Sequence, residues 1–291
     1  MLLSIFTPLY NRARYLNRIY KSLIEQNIKD FEWIIIDDGS SDNPKEILKK
    51  LQEKSPFTIE YQRQCNRGKH VAINNALKIA KGELFLILDS DDILTDDAIS
   101  SINYHYEKIK NNQNIGGVVG RKLYDNGDLV GNSTFDELIS DTFTIRFKLK
   151  TYGDFTEVFK TEVLKQYPFP EIENEKFCPE ALIWNRVSAN YKLLFFNKGL
   201  QTIQYLEDGL SNKIVKIRMT SPVASMLTYS ELTAYDIPLK EKIKAYINFW
   251  RFSFNSNFSF LKKLSLLQNK FGLIFYPLGF LMYLRDIKKY S

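Results

Sequence analysis

Histidine and cysteine are scarce in this 291-residue chain, with two of each. His70 and His105, Cys65 and Cys178 stand at no spacing that would ligate zinc or frame a disulfide set. With 13 glycines and 9 prolines, collagen-like and linker-like compositions are excluded. No Gly-x-Gly-x-x-Gly follows the first apolar segment and no P-loop occurs, which disfavours a dinucleotide oxidoreductase and a P-loop NTPase. A charge-free run near the end, residues 271–284, would make a helix of about 21 Å against a hydrocarbon core of about 30 Å, too short to cross it. A secretory leader is not legible either. Residues 1–9 are apolar but lack a basic start, contain Pro8 and run straight into Asn11 and Arg12. They read as a first strand, and a cytoplasmic location is the expectation.

What is present is an ordinary folded composition, 44% hydrophobic and 25% charged, with a net charge of +6. The charge is uneven. Residues 239–291 carry +8, leaving −2 for the rest. In that tail Lys and Arg alternate with Phe249, Trp250, Phe252, Phe254, Phe258 and Phe260. Such a pattern suits peripheral contact with an anionic membrane, at the inner face of the cell membrane. The plainer reading is a helical subdomain with a solvated basic face. No nucleic-acid motif accompanies the charge, so no nucleic-acid partner is expected.

Along the first 110 residues, apolar runs at 2–6, 31–36, 58–63 and 84–88 alternate with helical spacing at 16–24, 44–51 and 73–80. Strict alternation predicts an α/β fold with a mostly parallel sheet, whose ligands bind beyond the carboxyl ends of the strands. Residues 7–12, Asp37-Asp38 and Asp89-Ser90-Asp91-Asp92 all fall at that edge. The alternation then stops. A hairpin is expected around Asn126-Gly127, then a strand-like stretch at 155–163, a helix at 179–189, strands at 193–196 and 201–206, and helix from 212 onward.

Carboxylates gathered at strand ends repel one another unless a cation neutralises them. Asp89-x-Asp91 offers the oxygen ligands that Mg²⁺ or Mn²⁺ takes together with substrate phosphates. The simpler alternatives are that Asp91 and Asp92 cap the next helix and that Asp37-Asp38 forms an Asx turn.

Four segments in order, Thr7-Pro8-Leu9-Tyr10-Asn11-Arg12, Ile34-Ile35-Ile36-Asp37-Asp38-Gly39-Ser40, Asn66-Arg67-Gly68-Lys69 and Leu86-Ile87-Leu88-Asp89-Ser90-Asp91-Asp92, resemble family 2 glycosyltransferases over roughly residues 1–210. The resemblance implies a GT-A fold: a catalytic domain over 1–211, with a nucleotide-sugar half at 1–110 and an acceptor half at 111–211, followed by a helical region at 212–291. It implies an inverting, metal-dependent transferase using a UDP-sugar donor and a saccharide or lipid-linked acceptor in cell-surface polysaccharide synthesis. Thr7, Tyr10, Arg12, Asp38, Arg67, Lys69, Asp89 and Ser90 would line the donor pocket, and Asp91 with Asp89 would hold Mn²⁺ or Mg²⁺.

For the general base the chain offers Glu173, Glu175 and Glu180, of which Glu180 is assigned. Family members often carry Glu-Asp there, whereas this chain has Glu180-Ala181. Charge complementarity at a helix start is the plainer reason for Glu180, as core packing is for Trp184. His70 beside Lys69 is placed near the donor and His105 on a surface. The segment from Tyr205 to Ser211 resembles the one that closes over the diphosphate. Two rival readings remain open: an inactive carbohydrate- or lipid-binding protein on the same scaffold, and a haloacid-dehalogenase-type phosphatase with Asp89 as nucleophile.

Overall fold

The computed structural model describes residues 1–203 and 210–290, the side chains of 210–212 aside. Of the expected closing segment at 205–211, residues 205–209 and the side chains of 210 and 211 lie outside the described residues. The chain divides into two compact units, residues 1–168 with 187–205, and residues 169–186 with 206–291.

The first unit is built on one sheet. Strands β1 (Leu3–Leu9), β2 (Phe31–Asp37), β3 (Thr58–Arg63) and β4 (Leu84–Ile87) run parallel in the order β3-β2-β1-β4. Every residue of β2 is buried, as expected of a parallel strand covered on both faces. Leu3 and Ile5, with Trp33 and Ile35, join one core with α1 (Leu16–Ile24), α2 (Pro44–Gln52) and α4 (Ala98–Glu107). Against β1 and β2 also packs α3 (Lys69–Ile79). Helix α1 forms because Leu16, Ile19, Tyr20 and Leu23 repeat at helical spacing and are buried together.

Beyond β4 the sheet turns mixed. It continues through β8 (Phe155–Lys160), β6 (Ile115–Leu123) and β9 (Lys192–Thr202), with β5 (Ile93–Leu94) and β7 (Glu137–Ser140) pairing antiparallel to β9. β8 is antiparallel to both β4 and β6, so β6 runs in the direction of β4. A parallel half continued by a mixed half, with helices against the sheet, is the layout that the GT-A expectation calls for.

Three local expectations are corrected. The stretches at 193–196 and 201–206 are not two strands; residues 192–202 form the single strand β9. Its turn-like Asn197-Lys198-Gly199 stays in the ladder because Gly199 has no side chain where Leu123 packs; a Cβ there would meet Leu123 Cγ at 2.3 Å. The hairpin at Asn126-Gly127 shrinks to one bridge, Leu123 to Leu129, closed by the Tyr124 N–H to Asp128 carbonyl bond. His105 is not a bare surface residue: its ring stacks on Phe196 with centroids 3.7 Å apart, and Nδ1 lies 2.7 Å from the Ser101 carbonyl.

The second unit holds α8 (Pro222–Leu232), α9 (Leu239–Ser253), α10 (Phe260–Leu266) and α11 (Tyr276–Tyr290), with α7 (Leu210–Met219) before them. Its core gathers Met226, Tyr246, Phe249, Trp250 and Leu267. No helix among the described residues is long and apolar enough to cross a membrane.

Candidate active site

The strand order places β2 on one side of β1 and β4 on the other. The connections therefore reverse direction at β1, which opens a crevice at the carboxyl ends of β1 and β4. Register fixes what meets there: Leu9 lies beside Asp37, and Phe6 beside Ile87. The segment Tyr10–Arg12, the pair Asp37-Asp38, the start of α3 and Asp89–Asp92 all follow from those ends.

The loops are tied together before any ligand arrives. Asn11 adopts φ 52° and its side-chain oxygen accepts from the Ser41 N–H at 2.8 Å, while the Asn11 N–H donates to Ser40 Oγ at 3.0 Å and the Ala13 N–H to Asp42 Oδ2 at 2.8 Å. Asp37 is fully buried and accepts from the Ser40 N–H at 2.8 Å and the Tyr61 hydroxyl at 2.9 Å. Burial, and then Asp37 itself, push the Tyr61 hydroxyl up to about 12. Asp37 is thus a staple, the turn reading of that residue.

Asp38 holds the loop that starts α3. Its carboxylate accepts from Gln64 Nε2 and from the N–H groups of Arg67 and Gly68, each at 2.8 Å. Gly68 sits at φ 94°, a backbone state that a side chain would strain. Thr7 is wholly buried, its hydroxyl accepting from Trp33 Nε1 at 2.9 Å, whereas Tyr10 is exposed. The Arg12 guanidinium lies 5.7 Å from the Tyr15 ring centroid.

Lys69, the first residue of α3, places Nζ 2.5 Å from Asp89 Oδ1, and Lys122 near the end of β6 places Nζ 2.8 Å from Asp92 Oδ2. Burial drives the Asp89 carboxyl upward, but the two lysine charges outweigh it and hold it below its ordinary range. Asp91 is raised, by burial and then by Asp89, with Arg12 and Lys69 opposing. Asp92 is pushed up to about 6, chiefly by burial, against Lys122 and with the added charges of Asp89 and Asp91. Lys122 itself is raised despite burial, because it faces Asp92 and Asp89 together. The two shifts agree once neighbours are counted: Lys122 answers to two carboxylates, while Asp92 has two carboxylates beside it and one ammonium.

Sequence reasoning missed Lys122. The signal was a lysine inside the apolar segment 118–124, which must find a counter-charge when buried. Two of the three aspartates have a lysine within ion-pair distance, and the raised Asp91 is the carboxylate a further cation would relieve. Among the described residues no three His, Cys, Asp or Glu side chains gather as a metal cage. Asp89 and Asp91 offer two carboxylates, the number an ion takes from a protein when substrate and water supply its remaining oxygens.

Of the three glutamates, Glu175 is committed elsewhere. Its carboxylate accepts from the Val223 and Ala224 N–H groups at 2.7 and 2.9 Å, capping α8. Glu173 is exposed, and Glu180 opens α6 (Glu180–Asn190) in the second unit. Trp184, half-buried on α6, meets Phe169 edge to face with centroids 6.0 Å apart.

Residues 4–169 match the family model for glycosyl transferase family 2. A Campylobacter jejuni GalNAc(5)-diNAcBac-PP-undecaprenol beta-1,3-glucosyltransferase is 32% identical over 188 residues, which covers 62% of this chain and 58% of that one. Four curated relatives are matched over 29% to 58% of their own length. S. aureus TarS 1–349 in complex with UDP-GlcNAc superposes with TM-score 0.64 at 20% identity, covering 96% of this chain and 79% of that one. The mannosyltransferase PcManGT from Pyrobaculum calidifontis, in complex with GDP-Man and Mn²⁺, gives 0.59 at 14% identity, covering 98% and 87%. At these identities the two structures speak for the fold.

Proposed function

The chain belongs to glycosyl transferase family 2, and from that premise we propose that it moves a hexosyl or N-acetylhexosaminyl group from a UDP-sugar to a saccharide or lipid-linked oligosaccharide, with inversion. The setting proposed is cell-surface polysaccharide synthesis at the inner face of the cell membrane. Residues 1–110 serve the donor, 111–211 the acceptor, and 212–291 form the appended helical region. The observation that carries the reading is the crevice at β1 and β4, where Asp89, Asp91 and Asp92 meet Lys69, Lys122 and Arg12.

Thr7, Tyr10, Arg12, Asp38, Arg67, Lys69, Asp89 and Ser90 line the donor pocket. Thr7 and Asp38 act through the shape they hold, since their polar atoms already bind Trp33 and the Arg67-Gly68 loop. Lys69 and Arg12 bring positive charge to the diphosphate. Asp91, with Asp89, would hold Mg²⁺ or Mn²⁺, which when bound stabilises the negative charge growing on the departing nucleotide. Glu180 takes the proton of the acceptor hydroxyl as its oxygen bonds to the anomeric carbon and the bond from that carbon to the diphosphate breaks. A single displacement of this kind inverts the centre.

The name of the Campylobacter relative, a glucosyltransferase of an undecaprenol-linked glycan, supports the lipid-linked acceptor. UDP-GlcNAc in the TarS complex and Mn²⁺ in the PcManGT complex support the donor class and the metal. A thermal-shift screen of nucleotides and nucleotide sugars, with and without Mn²⁺, tests the reading, because a ligand bound only by the folded state raises its apparent stability. A Mn²⁺-dependent rise with UDP or a UDP-sugar is expected; a flat response to every nucleotide would overturn it.

A further inference from the structure

Helix α11 is apolar on more than its buried side. Its inward face packs the Tyr276 ring on Trp250 and the Tyr283 ring on Phe254, with centroids 4.9 and 5.2 Å apart; between them Gly279 lies where a Cβ would stand 2.3 Å from Trp250 Cβ, and Asp286 accepts from Arg251 Nε at 2.5 Å and from its terminal nitrogen at 2.7 Å. Its outward face is apolar as well. Pro277, Leu281, Leu284 and Lys288 fall on one stripe at spacings of four, three and four residues, with Leu281 61% exposed and Leu284 46%. A surface helix of a water-soluble fold is polar on that outward side.

The pattern extends past α11. Ten of the eighteen exposed large hydrophobic residues among those described fall between Phe260 and Ile287, Leu261 at 77% and Ile274 at 65% among them. Charge completes it. From 254 to 290 there are six Lys or Arg and one acid, and that acid is Asp286, buried against Arg251. The exposed surface of this segment therefore carries only positive charge.

We propose that α10, residues 270–275 and α11 form a seat for an anionic lipid bilayer, with α11 lying in the headgroup plane, its stripe entering the acyl boundary and Arg285, Lys288 and Lys289 reaching the phosphates. This deepens the membrane-linked reading above by naming its surface, though the surface stands on these side chains alone. A second copy of the chain is the poorer occupant, since a two-fold contact would set six cations against their own images. Crossing the bilayer is excluded by length, whereas lying in its interface needs only the apolar stripe and the basic flanks that are present.

Flotation of the full chain with phosphatidylcholine vesicles, with and without phosphatidylglycerol, tests it. Capture on the anionic vesicles is expected, weakening with added salt. The double variant Leu281→Glu/Leu284→Glu, at two exposed positions, should lose capture, and Lys288→Gln/Lys289→Gln should weaken it about thirtyfold. A wild-type chain that ignores both vesicle types, variants that bind like the wild type, or a dimer that the leucine variant dissolves without any vesicle binding would each overturn the proposal. The UDP thermal shift measured on the same proteins separates the two readings: vesicle capture without a nucleotide shift sinks the donor assignment and leaves the surface, and the reverse sinks the surface alone.

Discussion

The two units handle charge in opposite ways. The sheet unit hides its apolar residues on both faces and concentrates carboxylates at one edge, where Asp89 and Asp92 are each paired with a lysine and Asp91 is left raised by burial and by Asp89. The helical unit turns its lone acid of the final segment inward and leaves leucines in water. A crowded edge of opposite charges suits a small, highly charged ligand, whose binding exchanges one set of ion pairs for another. An apolar stripe with cationic flanks suits an extended apolar surface. The location of the uncompensated group, a carboxylate in one unit and leucines in the other, tells which kind of partner each awaits.

The largest test of that contrast is Glu180→Gln, because it asks whether the helical unit carries chemistry as well as surface. Removing a general base costs roughly 10²- to 10⁴-fold in rate. Transfer measured by UDP release should fall by that range while UDP affinity stays at the wild-type value. Retained turnover would confine the chemistry to the other unit. Next in size is Asp91→Asn. Loss of a group that stabilises charge at the leaving diphosphate costs on the order of 10²- to 10³-fold, and Mn²⁺-stimulated UDP binding should vanish with it. The ligand-free fold should gain stability, since a carboxylate strained by burial and by Asp89 is gone. A lower melting temperature would recast Asp91 as a structural residue.

Asp286→Ala probes the buried ion pair of α11. The carboxylate and Arg251 are largely buried, 5% and 14% exposed. Removing one partner of such a pair strands the other, at a cost of roughly 3 kcal/mol. Chemical denaturation should show that loss, while the isosteric Asp286→Asn should recover part of it through its remaining acceptor oxygen. A neutral outcome would mean that Arg251 reaches water easily, and that the inward polarity of α11 is incidental.

How much of this was legible beforehand follows from how local each signal is. The parallel half could be read because β1, β2 and β4 are runs buried on both faces, and three of the four motifs sit at their ends, the fourth following β3. β7 left no mark: Glu137–Ser140 alternates weakly and becomes a strand only by pairing with β9. β9 read as two strands because Gly199 signals a turn in isolation, while its reason, room for Leu123, lies 76 residues away in sequence. Within the site, Asp89 to Asp92 announced themselves by adjacency. Their counter-ions did not, since Lys69 and Lys122 come from other elements. Glu175, which the sequence offers as a candidate beside the assigned Glu180, is removed only by its bonds to the start of α8.

The smallest expected effect is the share of the pH dependence that Asp92 carries. Asp92 has an ordinary value of 3.8 and is pushed up to about 6 in the folded chain, with Asp91 raised as well. A folded-state value above the unfolded one means that the native protein takes up a proton which the unfolded chain releases, between about pH 4 and 6. Asp92 therefore adds stability to the ligand-free protein as the pH falls through 6, by roughly 1 kcal/mol between pH 7 and 5, in the same sense as Glu175, raised by burial, and against His105, which burial lowers. Asp89 works in the other direction, but its lowered value moves its contribution below pH 4, outside the window. Denaturant midpoints at the two pH values check the sign. Asp92→Asn should flatten the difference, whereas Asp286→Ala should lower both midpoints equally. If Asp92→Asn keeps the wild-type slope, the proton resides on another group and the crowding at the edge of β4 is milder than the distances imply.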